Sequence, residues 1–309
     1  MAVNASGAPG GASSSGAFAP ATPTLQLKNI SKAFGTVQAL QGVDFEVHAG
    51  EVVGLVGDNG AGKSTLIKIM AGVYVPDTGE IDVDGRRVTI SSPQDATRVG
   101  IETVYQDLAL CDNLDVVANL FLGREEYTTL IPFVVRPMNE VDMERRAREV
   151  LTQLEVKIPS LRTPVAALSG GQRQSIAVAK TILRNAKVVL LDEPTAALGV
   201  AQTRQVLNLI QRLRSQGLAV VVISHNLADV FEVVDRVIVM RLGQRVATFD
   251  VRNTTSEQVV SAITGAEFGM GMGGQHNGGN GGNGGNGGNG GAVAREQSPA
   301  QATATPPAE

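Results

Sequence analysis

The chain is poor in cysteine, in aromatic residues and in long apolar runs. Its single cysteine, Cys111, excludes a disulfide within the chain and a cysteine-based metal cluster, and it favours a reducing compartment. The N-terminus lacks a basic start followed by an apolar stretch, so the sequence predicts no secretory signal. The longest apolar runs, such as residues 218–223, are far too short to span a bilayer. These absences together predict a soluble protein of a reducing compartment.

A strong excess of charge of one sign is also lacking. The chain has 26 Lys and Arg residues against 30 Asp and Glu residues, which gives a formal net charge of −4. Because there is no long basic tract, nucleic acid is not expected as a partner. The 309 residues, 43% of them hydrophobic, suffice for one large domain or two small ones.

Both ends of the chain are low in complexity. Residues 1–22 are rich in Ala, Gly, Ser and Pro, and residues 267–309 are rich in Gly and Asn before a polar end. In the second segment an asparagine precedes a Gly-Gly pair at positions 277, 280, 283, 286 and 289. A collagen helix is excluded because the triplets lack proline and contain glycine twice. We predict a disordered tail at each end and a folded unit over residues 23–266.

A glycine-rich segment matches the pattern G-x-x-x-x-G-K-[ST]. It follows residues 51–56, which are typical of a buried strand, and it precedes residues 63–70, whose apolar positions have helical spacing. In that context backbone N–H groups and the helix N-terminus bind phosphates. The predicted binding residues are Gly57, Asp58, Asn59, Gly60, Ala61, Gly62, Lys63 and Ser64. Lys63 would reach the β- and γ-phosphates of a nucleotide, and the Ser64 hydroxyl would coordinate Mg²⁺.

Polar residues also follow two later apolar runs. Residues 188–191 end in Asp192 and Glu193, and His225 follows residues 218–223 after one serine. Phosphoryl transfer to water needs a metal ligand, a group that activates water and a contact to the γ-phosphate. We predict that Asp192 holds the metal through its water shell, that Glu193 polarises the attacking water, and that His225 contacts the γ-phosphate.

Short β-like segments alternate with turns near the N-terminus, and helices and strands alternate further on. Asp84-Gly85 predicts a hairpin turn. From about 96 to 184 the pattern is helical, and Asn139 would cap a helix over 140–154. Its predicted apolar stripe is Val141, Ala147, Val150, Leu151 and Leu154. After 185 strands and helices alternate again, which favours a mainly parallel sheet covered by helices on both faces.

These residues resemble the ATP-binding subunits of ABC transporters over residues 24–265. The resemblance rests on five motifs in family order: residues 57–64 (Walker A), Gln106 (Q-loop), residues 168–172 with the sequence Leu-Ser-Gly-Gly-Gln (signature), residues 188–193 (Walker B) and His225 (switch histidine). It implies an α/β P-loop NTPase core of the ABC ATPase type. It also implies an antiparallel β subdomain and an inserted α-helical subdomain at about 96–184.

The resemblance assigns further residues to an ATP site that uses Mg²⁺. Phe34 would stack on adenine and Thr65 would assist at the α-phosphate. Gln106 would join the catalytic set of Glu193, His225 and Lys63, bind the metal with Ser64 and Asp192, and couple the site to the membrane subunit. Ser169 and Gly171 would contact the γ-phosphate bound by the opposite protomer, so the resemblance implies a homodimer.

One position departs from the family pattern. After Glu193-Pro194-Thr195 the family usually has Ser-Ala-Leu-Asp, whereas this chain has Ala196-Ala197-Leu198-Gly199. The acidic residue that normally communicates across the dimer is therefore absent. The general base, the metal ligand and the γ-phosphate contact remain, so loss of activity is not expected.

The segments around Glu193 and His225 resemble subunits that energise monosaccharide import, of the single-cassette fructose and ribose/xylose type. This implies a peripheral protein on the cytoplasmic face of the inner membrane. Its partners would be a transmembrane permease and, indirectly, a periplasmic sugar-binding protein. Two alternatives stay open: a cassette driving another cargo or export, and a soluble ABC ATPase acting in DNA repair or translation. A P-loop GTPase or kinase is disfavoured because the signature has no role in those enzymes.

Overall fold

A computed structural model describes residues 22–128 and 137–266, which all belong to one compact unit. The predicted tails lie outside these residues, apart from residue 22. The ten strands are β1 (Leu25–Phe34), β2 (Val37–Val47), β3 (Val52–Gly57), β4 (Thr78–Val83), β5 (Arg86–Val88), β6 (Ile101–Val104), β7 (Val188–Asp192), β8 (Ala219–Ile223), β9 (Arg236–Arg241) and β10 (Gln244–Asp250) within the described ranges. The helices of that part of the chain are α1 (Lys63–Met70), α2 (Pro93–Arg98), α3 (Val116–Phe121), α4 (Glu140–Gln153), α5 (Gly170–Leu183), α6 (Val200–Ser215), α7 (Leu227–Val233) and α8 (Ser256–Thr264).

The larger sheet has the strand order β10-β9-β3-β8-β7-β6. Strands β9, β3, β8, β7 and β6 run parallel, and β10 pairs antiparallel with β9 at the edge. The carboxyl ends of β3, β8, β7 and β6 therefore lie along one edge of the sheet. Ligands of open α/β sheets bind at this edge, and each predicted catalytic residue follows one of these strands.

The second sheet is antiparallel, with the order β2-β1-β4-β5. The predicted turn at Asp84-Gly85 joins β4 to β5, and both residues have positive φ angles, 50° and 73°. Two such residues in succession match the twist of a tight hairpin. The predicted α/β core with an antiparallel β subdomain is confirmed.

Alternate residues of the larger sheet pack into two cores. Val189, Leu191 and Val220 belong to the cluster built with α4, α5 and α6. Their neighbours Leu190 and Val221 belong to the cluster built with α1 and the antiparallel sheet. Successive strand residues point to opposite faces, so runs that are apolar throughout are what a sheet covered on both faces requires.

The helical insertion differs in two details from its sequence-based description. Residues 101–104, inside the segment expected to be helical from about 96, form strand β6 of the larger sheet. The strand has only four residues, two of them polar, and so short a segment carries too little periodicity to separate a strand from a helix. Helix α4 has the predicted cap, since the side chain of Asn139 accepts a hydrogen bond from the N–H of Asp142. Val141, however, is 81% exposed, and Met143 lies in the core instead.

Candidate active site at the carboxyl edge of the sheet

The predicted phosphate loop connects β3 to α1 and is shaped by its glycines. Gly57 has a φ of 150°, and a Cβ atom there would collide with the carbonyl oxygen of Met240. Gly62 has a φ of 99°, and its Cβ would lie 2.8 Å from the carbonyl oxygen of Ala39. Only glycine fits both the backbone angles and the close approach of neighbouring strands. The loop is thereby held against β9 and β2.

Helix α1 begins directly at this loop without a capping side chain. Its N-cap is Gly62, and no side chain bonds to the first turn. The first N–H groups of a helix have no partner within the helix, and the helix dipole adds positive potential there. Ser64 and Thr65 lie in this first turn. The arrangement fits a bound phosphate chain.

The side chain of Lys63 is held by the loop itself. Its Nζ atom donates to the carbonyl oxygens of Gly57 at 2.8 Å and Asp58 at 2.9 Å. Burial lowers the pKa of Lys63, and the carboxylates of Glu193, Asp58 and Asp192 oppose this change. The ammonium group is therefore within electrostatic reach of the acidic end of β7.

Asp192 ends strand β7, next to β8 in the sheet. Burial raises the pKa of its carboxyl, the neighbouring Glu193 raises it further, and Lys68 and Lys63 lower it. Because the pKa stays raised, the two lysines compensate this half-buried carboxylate only in part. A bound divalent cation would supply the missing positive charge, so the donor set fits a metal ion held by Asp192 and the hydroxyl of Ser64.

Glu193 and His225 contact each other. His225 Nδ1 lies 2.8 Å from Glu193 Oε2, while 78% of the histidine side chain stays exposed. Glu193 has a φ of 51°, which is uncommon for a residue other than glycine. Its N–H donates to the carbonyl oxygen of Ile223 at 3.0 Å, so the strained residue is tied to the end of β8. The geometry brings the predicted general base and the predicted γ-phosphate contact together.

Gln106 follows β6 and is exposed at the same edge. The preceding Tyr105 is half-buried, and burial raises the pKa of its phenol. A hydrogen bond with Thr103 lowers this pKa, and the charge of Asp192 raises it. Tyr105, next to the predicted Gln106, is thus within electrostatic reach of the Asp192 carboxylate.

Phe34 lies at the end of β1, in the antiparallel sheet, with 42% of its surface exposed. Its ring meets the ring of Tyr74 edge-on, with centroids 5.0 Å apart, and Lys32 Nζ lies 5.6 Å from the Phe34 centroid. The sequence does not predict Tyr74 as a neighbour of Phe34. Two features of the sequence point to it: aromatic residues are rare in this chain, and Tyr74 follows closely after α1, the helix that begins at the phosphate loop.

The signature residues are not brought to this site within one chain. Ser169 caps α5, and its hydroxyl accepts a hydrogen bond from the N–H of Gln172 at 3.3 Å. Gly171 is buried against α6, where its Cβ would meet the side chains of Gln205 and Gln202. Among the hydrogen bonds and ion pairs of the described residues, none joins Ser169 or Gly171 to the phosphate loop.

Gly199 is the N-cap of α6 and has ordinary extended backbone angles, with φ −75° and ψ 165°. If the residue carried a Cβ atom, the nearest atom to it would be Gln202 Oε1 at 3.9 Å. Neither the backbone nor the packing therefore requires a glycine here, and the missing acidic side chain would fit.

Fold and site together define a P-loop nucleotide-hydrolysing protein. Comparison with known proteins shows which family of this class the chain belongs to. The family model for ABC transporters matches residues 40–196. The xylose/arabinose import ATP-binding protein XylG of Sulfolobus acidocaldarius is 42% identical over 245 residues, which cover 79% of this chain and 95% of that protein. The fructose import ATP-binding protein FrcA of Rhizobium meliloti is 43% identical over 247 residues, again covering 79% of this chain and 95% of the relative.

Solved structures with a similar fold are also ATP-binding cassettes of ABC transporters. The ADP conformation of an ATP-binding cassette of an ABC transporter is similar with a TM-score of 0.68 and 26% identity, covering 79% of this chain and 99% of that one. A dimeric bacterial ABC transporter cassette has a TM-score of 0.62 and 25% identity, covering 74% of this chain and 100% of that one. The chain belongs to the ABC transporter family, and it is an ATPase. No helix among residues 22–128 and 137–266 has both the length and the apolar character needed to cross a bilayer.

Proposed function

We propose that this chain is the ATP-hydrolysing subunit of an importer for a monosaccharide of the fructose, ribose or xylose type. It would act as a homodimer, peripherally on the cytoplasmic face of the inner membrane, with transmembrane permease subunits and a sugar-binding protein outside. The relatives named for xylose/arabinose and fructose import support the cargo class. The observation that carries the hydrolytic role is the contact between Glu193 and His225 beside the phosphate loop.

In this proposal the loop residues Gly57, Asp58, Asn59, Gly60, Ala61, Gly62, Lys63 and Ser64 bind the phosphates of ATP. The N–H groups at the start of α1 would bind the phosphates, and Thr65 would assist at the α-phosphate. Lys63 would exchange its two carbonyl partners for phosphate oxygens, which gain more from a full positive charge. Phe34 would pack on the adenine ring.

Hydrolysis would use the residues at the carboxyl ends of β6, β7 and β8. Mg²⁺, held by Ser64, Gln106 and Asp192, would neutralise negative charge on the phosphates. Glu193 would take a proton from the attacking water as general base. His225 would hold Glu193 in place and contact the γ-phosphate, and Ser169 and Gly171 of a second copy would contact it from the opposite side.

The proposal is tested with the tagged full chain isolated from its native membranes. We expect a polytopic permease to co-purify. In reconstituted vesicles, the binding protein loaded with fructose, ribose or xylose should stimulate ATP hydrolysis, and the same protein without sugar should not. Glu193→Gln is the control for the chemistry, because it should bind ATP yet hydrolyse it very slowly.

A permease complex whose ATPase rate is not stimulated by any of the three sugars would indicate a different cargo. A chain that hydrolyses ATP but isolates without any membrane protein would contradict the transport role itself. Normal turnover of Glu193→Gln would contradict the assignment of the general base.

A further inference from the structure

The two loops that carry Glu193 and His225 are joined by a second side-chain contact. Thr195 Oγ1 donates a hydrogen bond to Asp229 Oδ2 at 2.7 Å. Thr195 lies two residues after Glu193, and Asp229 lies four residues after His225, in the first turn of α7. Both side chains are partly buried. The same two segments are thus joined twice, by the contact between Glu193 and His225 and by the hydrogen bond between Thr195 and Asp229.

The backbone around Glu193 needs such a restraint. Glu193 and Ala197 both have positive φ angles, 51° and 57°, although neither is a glycine. Residues in this region persist where the surrounding structure over-determines them. Strand β8 fixes one end through the bond from Glu193 N–H to the carbonyl oxygen of Ile223. Thr195 lies between the two strained residues, so its bond to Asp229 fixes the middle of the segment.

The cap of α7 does not depend on Asp229. Asn226 Oδ1 accepts from the N–H of Ala228 at 3.1 Å, and the N–H of Asn226 donates to Ser224 Oγ at 3.0 Å. In a capping box, the residue at the position of Asp229 would accept that second N–H group. Here a serine accepts it, and the described hydrogen bond of the Asp229 side chain goes to Thr195. In a capping box Asp229 would bond to the backbone of its own helix. Here it bonds to the segment after β7 that carries Glu193.

We propose that Thr195 and Asp229 are positioning residues for hydrolysis. Their bond holds the segment after β7 against α7, so that the Glu193 carboxylate faces His225 and the site of the attacking water. The inference rests on the proposed role of Glu193 as general base. A general base must stay within hydrogen-bond reach of the proton that it takes, so loss of the bond lowers the rate of the chemical step rather than nucleotide binding.

The first test compares Thr195→Val with Thr195→Ser in the full chain. Valine has the shape of threonine without the hydroxyl donor, whereas serine keeps the donor. With active-site concentration set by ATP-binding stoichiometry, we expect Thr195→Val to lower the single-turnover rate roughly tenfold to a hundredfold. The dissociation constant for ATP should change less than about twofold, because the phosphate loop is untouched. Thr195→Ser should keep most of the wild-type single-turnover rate.

The second test places Thr195→Val in the Glu193→Gln background. If the hydroxyl acts through Glu193, the double variant should be no slower than Glu193→Gln alone, since groups that act as a unit are not additive. Asp229→Ala should reproduce the effect of Thr195→Val, and combining the two should add little. Glu232→Gln is the matched control on α7, because its carboxylate pairs with Arg204 at 2.6 Å, away from Thr195; its rate should stay at the wild-type value.

If Thr195→Val slowed the wild-type chain and the Glu193→Gln variant by the same factor, the proposal would be overturned, because a general structural defect lowers the rate whether or not Glu193 is present. An unchanged rate in Thr195→Val, with Glu193→Gln inactive, would also overturn it while leaving the proposed function intact. Normal hydrolysis by Glu193→Gln would instead refute the role of the general base, and the inference with it.

Discussion

At the scale of single residues, Asp192 lies in surroundings that disfavour its charge. Burial and the neighbouring Glu193 raise its pKa above the ordinary value of 3.8, and Lys68 and Lys63 compensate only in part. An acid whose pKa is higher in the folded state than in the unfolded state lowers the free energy of unfolding at any pH where it is ionised. This cost is absent below its unfolded-state pKa, grows as the pH rises from there to its folded-state pKa, and is fully present above that.

We therefore expect Asp192→Asn to raise the melting temperature of the nucleotide-free chain at pH 7, while hydrolysis is lost. The gain should be a few degrees at most, since about 1 kcal/mol corresponds to roughly 2–4 °C in a domain of this size. The difference between variant and wild type should shrink as the pH is lowered toward 3.8, the ordinary pKa of the carboxyl, because the cost disappears once both states are protonated. Calorimetry over this pH range measures it, and a variant that melts below wild type at pH 7 would contradict the prediction.

The places of the predicted site residues on the fold follow from the sequence where these residues belong to a contiguous motif. Lys63 and Ser64 follow a strand, and Asp192 ends one, so local patterns predict their positions on the fold. The partnership of Thr195 with Asp229 joins residues 34 apart in sequence and depends on how β7 and β8 lie side by side. A pair like this has no local signature, so the structure was needed to find it.

At the scale of elements, α6 starts at a residue that does not cap it well. Gly199 has no side chain to accept the N–H groups of the first turn, yet its backbone angles are those of an ordinary N-cap. Aspartate at this position would accept such an N–H group and would interact favourably with the helix dipole. Space for the side chain is present, with the nearest atom to a Cβ at 3.9 Å.

We expect Gly199→Asp to raise the free energy of unfolding by about 0.5–1 kcal/mol. Gly199→Ala is the matched control, because it adds a Cβ without an acceptor and should leave stability unchanged or slightly lower. Urea unfolding of both variants measures the difference. If the aspartate variant were no more stable than the alanine variant, the N-terminus of α6 would not be available for capping.

Element boundaries show which signals the sequence carries. The N-cap at Asn139 was predictable because capping is local, and it is confirmed. The inclusion of Val141 in the buried stripe was wrong, because it lies nine residues, or two and a half turns, before the buried Val150 and so on the opposite side of a helix with 3.6 residues per turn. Strand β6 was missed, since four residues in a strand give too short a pattern to separate from a helix.

At the scale of the whole molecule, the phosphate loop and the signature lie in different parts of one chain. The loop precedes α1 at the sheet edge, whereas Ser169 begins α5 in the helical insertion, which packs on α3, α4 and α6. If a complete site requires both, two copies must face each other so that each supplies the signature to the other. The similarity to a dimeric cassette structure is consistent with this arrangement.

Complementation between two inactive variants tests the shared site. Lys63→Ala should lose phosphate binding, and Ser169→Arg should disable the site that its own signature completes by placing a bulky side chain at the phosphate of the facing copy. Each should be nearly inactive alone. In a mixed dimer, the loop of the Ser169→Arg copy would face the intact signature of the Lys63→Ala copy, and one of the two sites would be complete.

An equimolar mixture should therefore recover up to about a quarter of the wild-type ATPase rate, because about half of the dimers are mixed and each has one complete site. Mixing Lys63→Ala with the double variant that carries both substitutions is the control, since no combination of those two chains completes a site. A mixture as inactive as its components, in which mixed dimers are present by native mass spectrometry, would show that the signature of one copy does not serve the phosphate loop of the other. Recovery in the first mixture and none in the second would follow only if each site draws residues from both copies.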